Sequence, residues 1–131
     1  MIGLDTNVLV RYIMQDDPRQ SAKATRLIES LNSERPGFVA VISVVELYWV
    51  LTACYGLSGH DVKQALEALL RAKQIVVDRA DQVLRALRVF DDGKADFADC
   101  LIERIASSAG CAETLTFDAD AAKHAGMSLL R

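Results

Sequence analysis

Hydrophobic and polar residues follow two different periods along the chain, and the changes of period predict where strands and helices lie. Short continuous apolar runs are typical of strands that are covered on both faces of a sheet. Longer stretches with apolar residues three or four positions apart are typical of helices that bury one face. The short runs predict strands at 2–5, 38–42, 75–77, 113–117 and 127–130.

Helical spacing fills the intervals between these strands, and several of the predicted helices have recognisable ends. The helical patterns lie at about 8–13, 18–31, 43–55, 61–72, 81–90 and 96–109, with a short helix after the fourth strand. Asp17 before Pro18 is a helix-start signal, with Asp17 as the N-cap. Ser43 and Glu46 have the spacing of a capping box, which predicts a helix start at Ser43. Gly93 is predicted to end the helix that precedes it.

The alternation of strands and helices predicts an α/β fold. Apolar strands that are covered on both faces indicate a three-layer α/β/α sandwich with a mostly parallel central sheet. The chain has 131 residues, of which 51% are hydrophobic. This size predicts a single domain, 1–131, and this composition excludes a disordered chain. In such sheets, ligands bind beyond the carboxyl ends of the strands.

Charge and cysteine usage narrow the possible function classes. The 15 Lys and Arg residues against 18 Asp and Glu give a formal charge of −3, so any nucleic-acid contact must be a local patch. Three cysteines without CxxC spacing are typical of reduced thiols, and we expect them to fill the core. No export signal is recognisable, and no apolar run approaches the ~20 residues of a membrane helix. We therefore expect a cytoplasmic protein with no membrane partner.

Five acidic residues fall at related positions of the predicted sheet. Asp5 ends the first strand, Asp118 ends the fourth, and Glu46 lies in the first turn of the helix that leaves the second strand. Asp96 and Asp99 share one face at the start of the helix that enters the fourth strand. A helix before a parallel strand runs antiparallel to it, so all five can gather at the carboxyl edge of the sheet.

Five carboxylates at one edge repel one another, and a divalent cation relieves that repulsion. Oxygen donors without His or Cys suit Mg²⁺, with Mn²⁺ as a substitute, rather than zinc. Such an ion activates water and stabilises the leaving oxygen of a phosphodiester. Each acid alone has an ordinary explanation too: a helix cap for Asp5, Glu46 or Asp96, a favourable helix dipole for Asp99, and a turn for Asp118.

Other side chains near these acids have two interpretations each. Asn7 either caps the following helix or supports a metal-bound carboxylate. Trp49 and Val50, on the same helix face as Glu46, either line the mouth of the site or pack in the core. Three arginines could contact substrate phosphates or belong to solvated faces, with Arg11 the best placed because it follows the first Asp: Arg11, Arg85 and Arg88.

Four segments, in order along the chain, resemble PIN-domain ribonucleases, specifically the VapC-type toxins of prokaryotic toxin–antitoxin pairs. They are IGLDTNVL at 2–9, ISVVEL at 42–47, ADFADCLI at 95–102 and TLTFD at 114–118. The resemblance covers the whole chain and implies a PIN-like nuclease domain. It departs from the family at Glu103-Arg104, where small residues are commoner, and this departure is expected to alter the wall of the groove.

The resemblance implies a Mg²⁺-dependent endoribonuclease that is the toxin of a type II toxin–antitoxin system. The implied catalytic residues are Asp5, Glu46, Asp96, Asp99 and Asp118, of which all but Asp96 are implied metal ligands, with Thr6, Asn7 and Thr116 in support. The implied partners are single-stranded or loop RNA (a tRNA, rRNA or mRNA), a small antitoxin protein and a second copy of the chain in a homodimer.

Two hypotheses from other classes remain open on the sequence. A phosphate-accepting receiver-type signalling domain shares the size, the α/β alternation and an acidic Mg²⁺ site. It needs a pair of acids right after the first strand, an acceptor Asp after the third strand and a Lys after the last one. Asp5 has no adjacent acid, and Phe117 is followed directly by Asp118 rather than by a Lys. A binding module could instead use the acidic pocket only to receive an arginine from a partner.

Overall fold

The computed structural model describes residues 1–90 and 94–131 of the chain. The helix end predicted at Gly93 lies outside these described residues. The chain forms two compact units, Met1–Asp78 and Arg79–Arg131. Each unit contains parallel strands connected through helices, so the predicted α/β class with parallel pairing is confirmed.

The first unit is built around a three-stranded parallel sheet. Its strands are β1 (Ile2–Gly3), β2 (Gly37–Val39) and β3 (Ile75–Val77), in the order β1-β2-β3. Gly37 pairs with Ile2 on one side and with Ile75 on the other. A Cβ atom at Gly37 would lie 2.8 Å from Leu4 Cδ1, so the absence of a side chain leaves room for the leucine to pack against this strand.

Four α-helices of the first unit surround its core. They are α1 (Thr6–Met14), α2 (Pro18–Ser30), α3 (Val41–Trp49), which continues into a π-helical segment (Val50–Cys54), and α4 (Gly59–Arg71). The predicted cap of α2 is confirmed, because Asp17 Oδ1 accepts hydrogen bonds from the backbone N–H groups of Arg19 and Gln20. The most deeply buried large side chains are Leu9, Ile28, Val39, Val44, Leu47, Leu51, Val62 and Leu66.

The second unit pairs two helices with a short parallel ladder. Its elements are α5 (Ala80–Phe90), α6 (Phe97–Ser108), β4 (Leu115–Thr116), α7 (Ala119–His124) and β5 (Ser128–Leu129). Helices α5 and α6 pack through an edge-to-face contact of Phe90 and Phe97, whose ring centroids are 6.0 Å apart. Gln82 Nε2 donates to Ser108 Oγ at 2.8 Å and connects the same two helices.

The start of α3 differs from the sequence prediction. The strand predicted at 38–42 ends at Val39, and the helix begins at Val41 after Ala40 as N-cap, so the capping box of Ser43 with Glu46 is wrong. Ala40 provides no side-chain cap. The N–H of Val41 instead donates to Asp78 Oδ2 at 3.3 Å, and this partner lies 37 residues away in the sequence.

Other details were also predicted only in part. The first, fourth and fifth strands are each shorter than predicted and have two residues each: β1, β4 and β5. Cys100 is buried, as expected of a core residue, but Cys54 and Cys111 are exposed, so that expectation is wrong for these two. Among the helices of the two described ranges, none combines the length and the hydrophobicity that crossing a membrane requires.

Candidate active site

Asp99 lies in the first turn of α6, as predicted, and carries the clearest electrostatic signal of the second unit. Partial burial raises the pKa of its carboxyl group, and the negative charges of Asp96 and Asp118 raise it further. Among the described residues, no Lys or Arg forms an ion pair with Asp99 and no donor hydrogen-bonds to it. The charges of Asp96 and Asp118 therefore act on Asp99 without an ion pair to a Lys or Arg of the described residues.

Asp96 and Asp118 are held at helix N-termini. Asp96 is the N-cap of α6, and its Oδ1 accepts from the backbone N–H of Ala98 at 3.3 Å. Asp118 is the N-cap of α7, and its Oδ1 accepts from the N–H groups of Asp120 at 2.8 Å and Ala121 at 3.3 Å. Only Oδ1 of each carboxylate is used in these caps. The capping explanation is therefore correct for Asp96, and Asp118, expected as a turn residue, caps α7 through the N–H of Asp120. These caps leave Oδ2 of each residue available as a metal ligand.

Thr116 supports the backbone next to Asp118. Its Oγ1 accepts a hydrogen bond from the Asp118 N–H at 3.0 Å. This contact fixes the turn between β4 and α7, from which the Asp118 carboxylate extends. The supporting role expected of Thr116 has a direct structural basis here.

In the first unit, Asp5 occupies the N-cap position of α1 but makes no side-chain capping bond. Its side chain is exposed. The ordinary explanation, that Asp5 caps the helix with its carboxylate, is therefore not met, and both carboxylate oxygens stay available.

Thr6 and Glu46 form a direct contact across the first unit. Thr6 is buried, and its Oγ1 donates to Glu46 Oε1 at 3.0 Å. Glu46 lies in the second turn of α3 rather than in the first, because that helix begins at Val41. A buried hydroxyl that holds one carboxylate oxygen fixes the direction of the other.

Asp78 is a residue of this region to which the sequence analysis assigned no role. It follows β3 directly, its N–H donates to the Val39 carbonyl at 2.8 Å, and its carboxylate accepts from the first N–H of α3. It therefore fixes the start of the helix that carries Glu46. Its position after a buried strand, like that of Asp5, is the signal that could have identified it.

Arg11 is largely committed to contacts within the first unit. Its Nε donates to Gln20 Oε1 at 2.7 Å, and its Nη1 lies 3.2 Å from both Asp16 Oδ1 and the Tyr55 hydroxyl. The Tyr55 hydroxyl donates to Asp16 Oδ2 at 2.7 Å. The hydrogen bond from Tyr55, aided by Arg11, holds the pKa of Asp16 below its ordinary value.

The remaining sequence-predicted residues lie on accessible surface. Asn7 lines a groove of about 310 Å³ between α1 and α2, together with Arg11 and Lys23. Its side chain hydrogen-bonds to no carboxylate among the described residues. Arg85 and Arg88 are exposed on α5 and form no ion pair within the described ranges. Their predicted contact with phosphates stays a prediction.

Glu103 and Arg104, at the departure from the family pattern, form a part-buried ion pair. Glu103 is 9% exposed, and both Nε and Nη2 of Arg104 contact its Oε1. Gly126, with a φ of +81°, passes so close that a Cβ atom there would lie 3.4 Å from Glu103 Cδ. The positive φ at this turn is a backbone conformation that favours glycine, and a Cβ atom there would be in ordinary contact with Glu103.

The acids are thus grouped within each unit. Asp96, Asp99 and Asp118 belong to the second unit, and Asp5 and Glu46 belong to the first. The convergence of all five stays a prediction. Within each unit, the described residues include no group of three or more His, Cys, Asp or Glu side chains already spaced to hold a metal ion.

The chemistry of the donors fits a hard divalent cation. The three acids of the second unit supply only carboxylate oxygens, and the raised pKa of Asp99 is the effect that an added positive charge would reverse. Mg²⁺ binds through one or two carboxylates and keeps several waters, so it does not need a complete protein cage.

Comparison with known proteins agrees with this chemistry. The model of the PIN domain family matches residues 2–127 of the 131-residue chain. No curated protein matches the chain. PIN domains are generally nucleases, so the match supports a hydrolase that acts on nucleic acid over the receiver-type alternative, and it confirms the three-layer α/β/α fold class. The chain belongs to the PIN domain family.

Proposed function

We propose that the chain is a Mg²⁺-dependent endoribonuclease and the toxin of a type II toxin–antitoxin system. The observation that carries the proposal is the group of Asp96, Asp99 and Asp118: partial burial, together with the charges of Asp96 and Asp118, raises the pKa of Asp99, and no Lys or Arg of the described residues pairs with it. Membership of a family of nucleases supports the same reading. An acidic pocket that served only to receive an arginine would need no family-wide hydrolytic chemistry.

Asp5 and Asp99 are the proposed direct ligands of Mg²⁺, for which Mn²⁺ can substitute, and Asp118 and Glu46 complete the set. The bound ion would supply water activation and offset the charge on the leaving oxygen of the phosphodiester. Asp96 contributes directly or through a water. Two features of the chain support this assignment. Neither carboxylate oxygen of Asp5 caps a helix, and Asp118 caps α7 with Oδ1 alone, so that its Oδ2 is available to a metal ion.

The other residues orient these carboxylates. Thr6 holds Oε1 of Glu46, which directs Oε2 towards the nucleophilic water that we propose it positions. Thr116 fixes the backbone of Asp118. Asn7 is proposed to support the Asp5 region from the surface of α1.

The proposed substrate is single-stranded or loop RNA of a tRNA, rRNA or mRNA. Arg85 and Arg88 on α5 carry guanidinium groups without ion pairs among the described residues, so they are the proposed phosphate contacts. Arg11 is a weaker candidate, because Asp16 already offsets its charge. We further propose a small antitoxin partner, a homodimer and a cytoplasmic location, in which RNA is accessible.

RNA cleavage by single-charge variants tests this proposal. Asp99→Asn and Asp5→Asn are expected to lower kcat by at least about 100-fold, the usual loss for a group that acts in the transition state. Asp120→Asn is the matched control, since it removes the same charge two residues from Asp118, and it should stay within about threefold of the parent. Activity of Asp99→Asn within tenfold of the parent would contradict the assignment.

Co-expression tests the toxin role separately. The chain expressed alone should stop growth, and the small protein encoded next to it should restore growth. If expression of the Asp99→Asn variant also stops growth, the toxicity does not come from RNA cleavage.

A further inference from the structure

Helix α3 presents an exposed face that its role in the core does not explain. Ile42, Glu46 and Trp49 follow one another at i, i+4 and i+7, which places them on one side of the helix. Ile42 is 71% exposed and Trp49 is 50% exposed, while Val44 and Leu47 bury the opposite side at 1% and 0%. Core packing, one of the two interpretations of Trp49, is therefore wrong for this residue.

The ring of Trp49 contacts a neighbouring aromatic ring, although the residue is half exposed. Its ring meets Tyr48 in an edge-to-face arrangement, with centroids 5.6 Å apart and an interplanar angle of 74°. Such a contact limits the rotamers of an exposed aromatic ring, so less conformational entropy is lost when a ligand covers it. Trp49 is thus a flat aromatic surface that contacts Tyr48 and is half exposed.

Glu46 lies between Ile42 and Trp49 along this face of the helix. Its carboxylate limits which kinds of ligand can cover the two apolar side chains. Thr6 holds Glu46 in place, so the carboxylate cannot easily move away from an approaching partner. A protein surface that covered both apolar side chains would have to remove this charge from water or supply a cation to pair with it. A nucleobase covers the indole through its flat face and leaves the carboxylate in contact with water.

We infer that Trp49 stacks on an unpaired nucleobase of the RNA, next to the phosphate at which Glu46 acts. The inference rests on the proposed function and extends it to how the substrate is recognised. Side chains three positions apart on a helix have Cβ atoms about 5–6 Å apart, so a base on Trp49 belongs to a nucleotide close to the cleaved bond. Stacking requires an accessible base face and accepts every base, so the enzyme selects unpaired RNA with little preference for sequence at this position.

The single tryptophan of the chain makes binding directly observable, because all indole emission comes from Trp49. The probe is an end-labelled oligoadenylate of about 12 nucleotides, a length within the site sizes of single-strand binders. It is titrated into the full chain carrying Asp99→Asn, which binds without cleaving. Emission of Trp49 should be quenched as the anisotropy of the label rises. The same strand in a duplex should leave the emission unchanged.

Steady-state cleavage by the active chain provides the second readout. Trp49→Ala should raise KM about tenfold with kcat within about twofold, since stacking on one base accounts for roughly one order of magnitude in affinity. Trp49→Phe should recover most of this loss because it keeps an aromatic face. Ile42→Ala is the matched control on the other side of Glu46, and its KM should stay within about twofold. Thermal melting of each variant verifies that it is folded.

Three outcomes would overturn the inference. The first is RNA binding, measured by anisotropy, without any change in Trp49 emission. The second is an unchanged KM in Trp49→Ala. In both cases the proposed function would stand. The third is a loss of the dimer in Trp49→Ala by sedimentation, which would assign this face to a second copy of the chain. A parent chain that neither binds nor cleaves RNA would overturn the proposed function itself and this inference with it.

Discussion

Two acidic residues of the first unit, Asp16 and Glu46, differ from Asp99 of the second unit in the partners that the chain gives them. In the first unit, Asp16 pairs with Arg11 and Tyr55, and Glu46 accepts from Thr6. In the second unit, Asp99 has no such partner among the described residues, and partial burial together with the charges of Asp96 and Asp118 raises its pKa. Asp16 and Glu46 thus have hydrogen-bond partners within the first unit, whereas Asp99 of the second unit keeps an unfavourable charge.

This difference separates stability from function. Carboxylates paired within the chain favour the folded state, as the lowered pKa of Asp16 indicates. Carboxylates that repel one another cost stability, and such groups persist where a ligand offsets them. We therefore expect a cation from solution to bind at the acids of the second unit, where it would offset their repulsion.

After the losses expected for Asp99→Asn and Asp5→Asn, the largest effect concerns Thr6, which holds the carboxylate of a proposed catalytic group. Thr6→Val keeps the shape of the side chain but removes the donor to Glu46 Oε1. We expect kcat for RNA cleavage to fall about tenfold, because the buried hydroxyl orients the carboxylate. Thr6→Ser keeps the donor and should recover most of the activity. Equal kcat values for the Val and Ser variants would contradict this role.

A smaller effect is expected at Asp78, which holds the first N–H of α3. Asp78→Ala should lower the melting temperature by about 2–6 °C, which corresponds to a lost helix cap of roughly 1 kcal/mol. It should also lower kcat a few-fold through Glu46. Asp78→Asn keeps an acceptor oxygen and should lie closer to the parent in both measurements. An unchanged melting temperature in Asp78→Ala would exclude the capping role.

The smallest effect distinguishes the second unit by its pH dependence. The folded-state pKa of Asp99 is raised, so its ionisation costs stability at neutral pH, and this cost disappears as the pH falls through the raised value. Metal-free Asp99→Asn should therefore melt about 1–2 °C above the parent at neutral pH, and the two should converge in acid. Glu113→Gln, at an exposed position of the same unit, is the control and should show no such convergence. An Asp99→Asn chain that is less stable at neutral pH would contradict the electrostatic account.

Local patterns in the sequence predicted most of the helices and the region of every strand, because period and capping depend on neighbouring residues. The start of α3 could not be predicted in this way, since its cap comes from Asp78, 37 residues along the chain. The partner of Glu46 is equally distant, because Thr6 lies 40 residues before it. An apolar pattern also does not tell an exposed tryptophan from a buried one, which is why Trp49 kept two interpretations.

Binding of Mn²⁺ to the full chain, measured by calorimetry, tests the central claim most directly. The parent should bind Mn²⁺, and Asp99→Asn and Asp5→Asn should each weaken the affinity at least about tenfold, because each removes a charged oxygen ligand. Asp120→Asn should bind like the parent. A parent chain that binds no Mn²⁺ at millimolar concentrations, or an Asp99→Asn chain that binds it equally well, would contradict the account.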